Sequence, residues 1–171
     1  MAYLSELNNI INAATSMLIQ NDNICKLVSY YPEKVDLKFN PLAQPKVENP
    51  SKLLLDRIYP MPKIPDAETE QICFIDVNIA GGDVGMTNKG FRKIELIFDV
   101  ICHLDSWIIK GGLRPLKILG EIDGMFNNQL TELPVENKPQ PLPFRPKNYS
   151  NKFYGYQISY ELQINSNIEC K

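Results

Sequence analysis

The spacing of apolar residues changes along this chain from a helical period at its start to a strand period at its end. Leu4, Leu7, Ile10, Ile11, Ala14, Met17 and Leu18 recur at three- and four-residue intervals, so they share one face of a helix predicted over residues 2–20. The polar run "QNDN" at 20–23 interrupts that helix, and "ICKLVSYY" at 24–31 predicts a second, shorter one. Near the other end, Tyr154, Tyr156, Ile158, Tyr160, Leu162 and Ile164 alternate with Gly155, Gln157, Ser159, Glu161 and Gln163. That alternation predicts a strand. In between, "ICFIDVNI" at 72–79 is rich in β-branched and aromatic residues, as strands are. Ile94, Leu96, Phe98, Val100 and Cys102 alternate with Lys93, Glu95, Ile97, Asp99 and Ile101, giving one apolar and one mixed face. The glycine-rich "AGGDVGMTNKG" at 80–90 joins the two runs, so they read as a long antiparallel hairpin with a mobile tip.

Proline sets the remaining boundaries. Six prolines fall between 41 and 65, and five more between 134 and 146. Each removes a backbone donor and holds its predecessor extended, so neither segment can be a central strand or a long helix. Both read as extended arms, the first with a turn or two of helix over "SKLLLDRI" at 51–58. Gly111 and Gly112 end the hairpin, and Pro115 suits the first turn of a helix whose stripe is Ile118, Leu119, Ile122, Met125, Phe126 and Leu130. The expected layout is a single domain over 1–171. It comprises N-terminal helices (1–31), a proline-rich arm (41–65), hairpin and helix (70–130), a proline-rich loop (131–151) and a final strand (152–165). The expected fold class is α+β, a mainly antiparallel sheet with helices packed on one face.

Composition narrows the chemistry. A formal net charge of −2, with no Lys/Arg-rich run, gives no footprint for a dedicated nucleic-acid binder. No apolar run approaches the roughly 20 residues that span a bilayer. The first residues lack a basic signal-peptide start, so a cytoplasmic product is expected. The four cysteines, Cys25, Cys73, Cys102 and Cys170, form no CxxC pair, which argues against a zinc site or a disulfide framework. The only histidine, His103, lies on one strand face with Asp99 and Asp105. A transition-metal site wants three or four ligands and finds no second histidine, while a Ser–His–Asp hydrolase finds no GxSxG elbow. "GGDVG" lacks the GK[ST] ending of a phosphate loop and precedes a strand, so its glycines suit a hairpin turn. No catalytic, cofactor or metal signal emerges, and His103 is expected on the less buried face of its strand.

A helix, a long hairpin, a helix opened by "RPLKILGEIDGMFN" and a closing strand "FYGYQISYELQI" together resemble the tail-terminator or tail-completion proteins of long-tailed bacteriophages. The resemblance covers roughly residues 70–165 and part of the first helix. It implies a non-enzymatic virion protein without cofactors, located in the neck and tail and in the host cytoplasm during assembly. A hexameric ring would cap the tail tube and meet the head–tail connector proteins, with genomic DNA threading the lumen without sequence-specific binding. The contact residues expected from the arms, the hairpin tip and the exposed aromatics are Leu53, Leu54, Ile58, Tyr59, Asp83, Met86, Trp107, Arg114, Phe144, Tyr149 and Tyr154. Two alternatives stand beside this one: another neck ring, such as an adaptor or stopper, and an unrelated protein-binding module. A third is a small enzyme using Asp99, His103 and Asp105.

Overall fold

A computed structural model describes residues 3–33, 36–63, 72–84, 91–127, 133–135 and 137–165. Two helices come first, α1 (Tyr3–Gln20) and α2 (Asp22–Ser29), separated where Asn21 turns and caps α2 by accepting from the Ile24 N–H at 3.0 Å. The first proline arm then makes two short 3₁₀ turns, Pro41–Ala43 and Pro50–Leu53, and a two-residue strand, β1 (Ile58–Tyr59). The long hairpin is β2 (Cys73–Val84) and β3 (Phe91–His103). A small ribbon, β4 (Ile108–Ile109) with β5 (Gly112–Leu113), leads into α3 (Arg114–Asn127). The second proline segment contributes β6 (Gln140–Pro141) and β7 (Arg145–Asn148), and β8 (Phe153–Asn165) closes the chain.

The main sheet is six-stranded, in the order β1-β2-β3-β8-β6, with β7 also paired to β8. Only the β1–β2 pair is parallel. The α+β architecture with a mainly antiparallel sheet is therefore as expected, and α1, α2 and α3 occupy one face. Ile75 and Val77 of β2, Ile94, Leu96, Phe98, Val100 and Cys102 of β3, and Ile158, Tyr160, Leu162 and Ile164 of β8 bury their side chains under Ile10, Leu18, Leu27, Ile122 and Phe126. At about 25 cal/mol per Å² of apolar surface, this inner layer dominates the stabilisation. Tyr160 adds a polar tie, donating to Asp123 of α3 at 3.0 Å.

Several expectations need correction. The hairpin strands outrun their apolar runs: β2 continues through Gly81, which takes φ +81° at a register shift between Ala80 and Asp83. The glycines thus make a bulge inside the strand, and the tip begins later than its composition implied. Residues 85–90 lie outside the described residues. The second proline segment is no plain loop, because β6 and β7 pair along the outer edge of β8, where proline's missing donor costs no ladder bond.

The expectation of unbridged cysteines also fails. Cys73 and Cys102 are joined by a disulfide 29 residues apart in sequence. Their separation hides the fact that antiparallel register sets them directly opposite each other. In a chain-entropy picture, a closure of this length stabilises by about 3.5 kcal/mol. Cys25 is free and buried.

Gly155 marks the tightest point of the sheet. A Cβ built there would stand 1.8 Å from the Val100 carbonyl oxygen of β3, a backbone atom that cannot swing aside. Gly155→Ala is expected to destabilise the domain by about 2 kcal/mol or more. Urea unfolding followed by circular dichroism checks this, and an unchanged midpoint would contradict the close approach.

Candidate functional site

Coverage of the second sheet face decides which side chains reach the surface. Phe74, Ile101 and Phe153 point away from the helices and form a small second core with Tyr59, with Ile72 and Tyr149 packed against it. Tyr59 meets Phe74 edge-on with ring centroids 5.8 Å apart. Both arms thus fold across this outer face: the first brings Tyr59, and the segment running out of β7 brings Tyr149.

Folding the arms down buries the polar residues of the outer face as well. His103 was expected on a less buried face, yet it is buried and packs edge-on against Phe153 at 5.2 Å. Its Nδ1 accepts from the Asp105 N–H at 3.3 Å. Asp99, four positions back, is about 13 Å away at strand spacing, with Ile101 between them on the same face. Asp105 Oδ2 stays 3.6 Å from His103 Nδ1, so the strand keeps His103 and Asp105 together and sets Asp99 apart from them. Among the described residues, no group of three or more His, Cys, Asp or Glu side chains converges as a metal site would require.

Asp99 instead pairs in register with Asp76. Lys147 Nζ contacts Asp99 Oδ2 at 2.8 Å, and Gln157 Nε2 donates to Asp99 Oδ1 at 2.9 Å. The Lys63 backbone N–H donates to Asp76 Oδ2 at 2.9 Å. Burial pushes the Asp76 carboxyl up to about 7, against the pull of the Lys63 N–H.

The expected contact residues fall into different classes. Leu53, Ile58 and Tyr59 are buried within the subunit, so they fasten the first arm down rather than reach out. Arg114 is likewise fully buried within the subunit. Its guanidinium donates to the Ser106 carbonyl at 2.8 Å, to the Tyr30 carbonyl at 3.0 Å and to the Leu27 carbonyl, and it lies 4.6 Å from the Tyr31 ring centroid. It satisfies carbonyls at the end of α2 that the helix leaves open. Burial lowers its pKa. Trp107 is half-buried, donating from Nε1 to the Cys102 carbonyl at 3.0 Å and packing near Tyr156. Tyr149 and Tyr154 are half-buried, and Asp83 stands opposite Lys93 in the strand register of the hairpin. Met86 lies outside the described residues.

Among the described residues, Leu37, Leu104 and Ile108 are exposed singly, and two further groups of exposed apolar side chains lie towards the two edges of the sheet. At the β1 edge, Leu54, Leu55 and Met61 face solvent. Leu55 is 57% exposed and sits at φ 61°, a left-handed conformation that costs a bulky residue about 1 kcal/mol. At the other edge, Phe144 is 61% exposed beside Leu116. These two flank an open apolar groove of about 320 Å³ between α3 and the β6–β7 connection, floored by Leu119 and Ile158. Only Leu54 and Phe144 of these exposed residues were among the expected contacts. Leu116 could have been suspected, since it stands off the apolar stripe of α3.

The YomW family model matches residues 21–162, from the start of α2 to near the end of β8. The chain belongs to the YomW family. That family is phage-derived. No curated protein and no solved structure matches the chain significantly. The YomW match takes in both proline arms, the disulfide and the groove. No helix among the described residues is long and apolar enough to cross a membrane.

Arg114→Met is expected to lower the stability of the YomW-family fold by about 3 kcal/mol, because it orphans the buried Leu27 and Ser106 carbonyl oxygens and the part-buried one of Tyr30. Equilibrium unfolding in urea reads this directly. A residue used only between subunits would leave that midpoint unchanged.

Proposed function

We propose that this YomW-family chain is a structural virion protein of a phage neck or tail, a ring-forming tail terminator that caps the tail tube and joins it to the head connector. The observation that carries this reading is the pair of unlike apolar surfaces at opposite sheet edges. Leu54, Leu55 and Met61 project from the β1 edge, while the groove beside Leu116 and Phe144 opens at the β6 edge. Unlike patches on opposite sides of one subunit make a heterologous contact, and a heterologous contact whose rotation closes gives a ring. The phage-derived family supports the virion setting. The tail tube protein and connector proteins are the proposed neighbours. Genomic DNA would pass through the lumen without base-specific contacts, which suits a chain of net charge −2.

Two measurements test the ring. Light scattering coupled to size exclusion should find a species near six times 19.5 kDa, either alone or on addition of tail tubes. A monomer under both conditions would favour a protein-binding adaptor module instead. Leu55→Gly probes the projecting edge. It relieves the left-handed strain while adding chain entropy to the unfolded state, so subunit stability should stay within about 1 kcal/mol of wild type. Association should nevertheless weaken at least tenfold, and an unaltered association constant would remove Leu55 from the contact.

A further inference from the structure

The outer face carries two buried carboxylates that the ring reading does not use. Asp76 and Asp99 stand opposite each other on β2 and β3, 2% and 6% exposed. Each holds a different arm. Lys63 of the first arm gives its backbone N–H to Asp76 Oδ2, and Lys147 of β7 gives its ammonium to Asp99 Oδ2. Both Asp99 oxygens have donors, counting Gln157 on Oδ1. Asp76 Oδ1 is buried and accepts from no group.

The other groups facing this pair do not fill that gap. The Lys63 ammonium turns to the Tyr59 hydroxyl at 2.7 Å and lies 4.3 Å from that ring's centroid. Lys147 is engaged by Asp99 and lies 5.8 Å from the Tyr149 ring centroid. The Tyr149 hydroxyl is itself buried, with its ionisation pushed up by burial and by Asp99. With both carboxylates ionised, two negative charges would face the single ammonium that contacts them. One added proton balances the pair, and the vacant Asp76 Oδ1 is the oxygen that can take it. A metal cation fits less well, since Lys147 already occupies Asp99 and only one carboxylate oxygen is open.

We propose that Asp76 and Asp99 form a proton-operated latch: with a proton on Asp76 Oδ1 the first arm lies closed on the outer face, and loss of that proton loosens it. This holds whether or not the subunits form a ring. The carboxyl shift to about 7 from its ordinary 3.8 sets the working window. Because the closed-state value is raised, closure is strongest below about pH 4 and weakens as pH rises towards 7. The arm's opening equilibrium grows by up to tenfold per pH unit over that interval and levels off above it. Exposed Met61 lies in the loosened segment just before Lys63, so the latch governs how Met61 is presented.

The Lys63 amide reports the latch directly, since its N–H is the one Asp76 holds. Its hydrogen-exchange protection, corrected for the intrinsic pH dependence of exchange, should fall more than tenfold between pH 5 and pH 7 in the intact chain. Asp76→Asn keeps an acceptor for that N–H but cannot ionise, so its protection should be flat over the same range. Constant wild-type protection, or an unchanged slope in the variant, would overturn the latch. Should the variant not fold, the Asp76 carboxyl can be followed in the wild type by ¹³C NMR. A midpoint in the ordinary carboxylate range would reject the proposal, and one near 7 would support it.

Discussion

Strand β3 is hydrogen-bonded along both edges, to β2 on one side and to β8 from Phe91 to His103 on the other. That double pairing is the constraint on which the rest of the structure depends. Shifting β3 by one residue would break two ladders and turn its apolar row away from the helices. With the register fixed, Ile94, Leu96, Phe98 and Val100 all point into the layer under α1, α2 and α3. The same register sets Cys73 against Cys102 and brings the backbone of Gly155 against Val100. The disulfide is therefore a consequence of strand alignment, while it also limits the freedom of the unfolded chain.

Helices on one side leave the other side to the arms. Phe74, Ile101 and Phe153 would otherwise be an exposed apolar strip along the three longest strands. The proline-rich segments are suited to cover it. Their residues are already close to extended, so little conformational entropy remains to be lost on docking. Their missing N–H groups matter least at sheet edges, where β6 and β7 lie. The cover extends past the apolar strip and takes Asp76, Asp99 and His103 out of solvent. Buried polar groups then need partners, and each arm supplies one, through Lys63 and Lys147.

Elements whose period is local were legible in the sequence. The α1 and α3 stripes and the β3 and β8 alternations each lie within one stretch of chain, and each formed as its spacing required. Features that depend on distant pairing were not. β6 and β7 have no strand pattern of their own, and exist because β8 offers an edge. Asp99 and His103 read as outward-facing because alternation gives the face of a strand but not what later folds over it. Arg114 read as a contact residue because two of its carbonyl partners come from the end of α2, far away in sequence. The groove beside Leu116 was invisible for the same reason: its walls come from α3 and the second arm.

The two layers also differ in how firmly they are held. The inner layer is a contiguous core closed by three helices, with Arg114 and Tyr160 tying helices to each other and to the sheet. The outer layer is a four-residue core under arms that touch the sheet through short strands and a few side chains. Segments with few buried contacts open first, well below the free energy of global unfolding. The first arm is anchored in the inner core by Leu53 and Ile58, bears the projecting Leu54 and Leu55 between those anchors, and meets Asp76 only at its end, through Lys63. A subunit built this way can keep its core rigid while its edge adjusts to a neighbour.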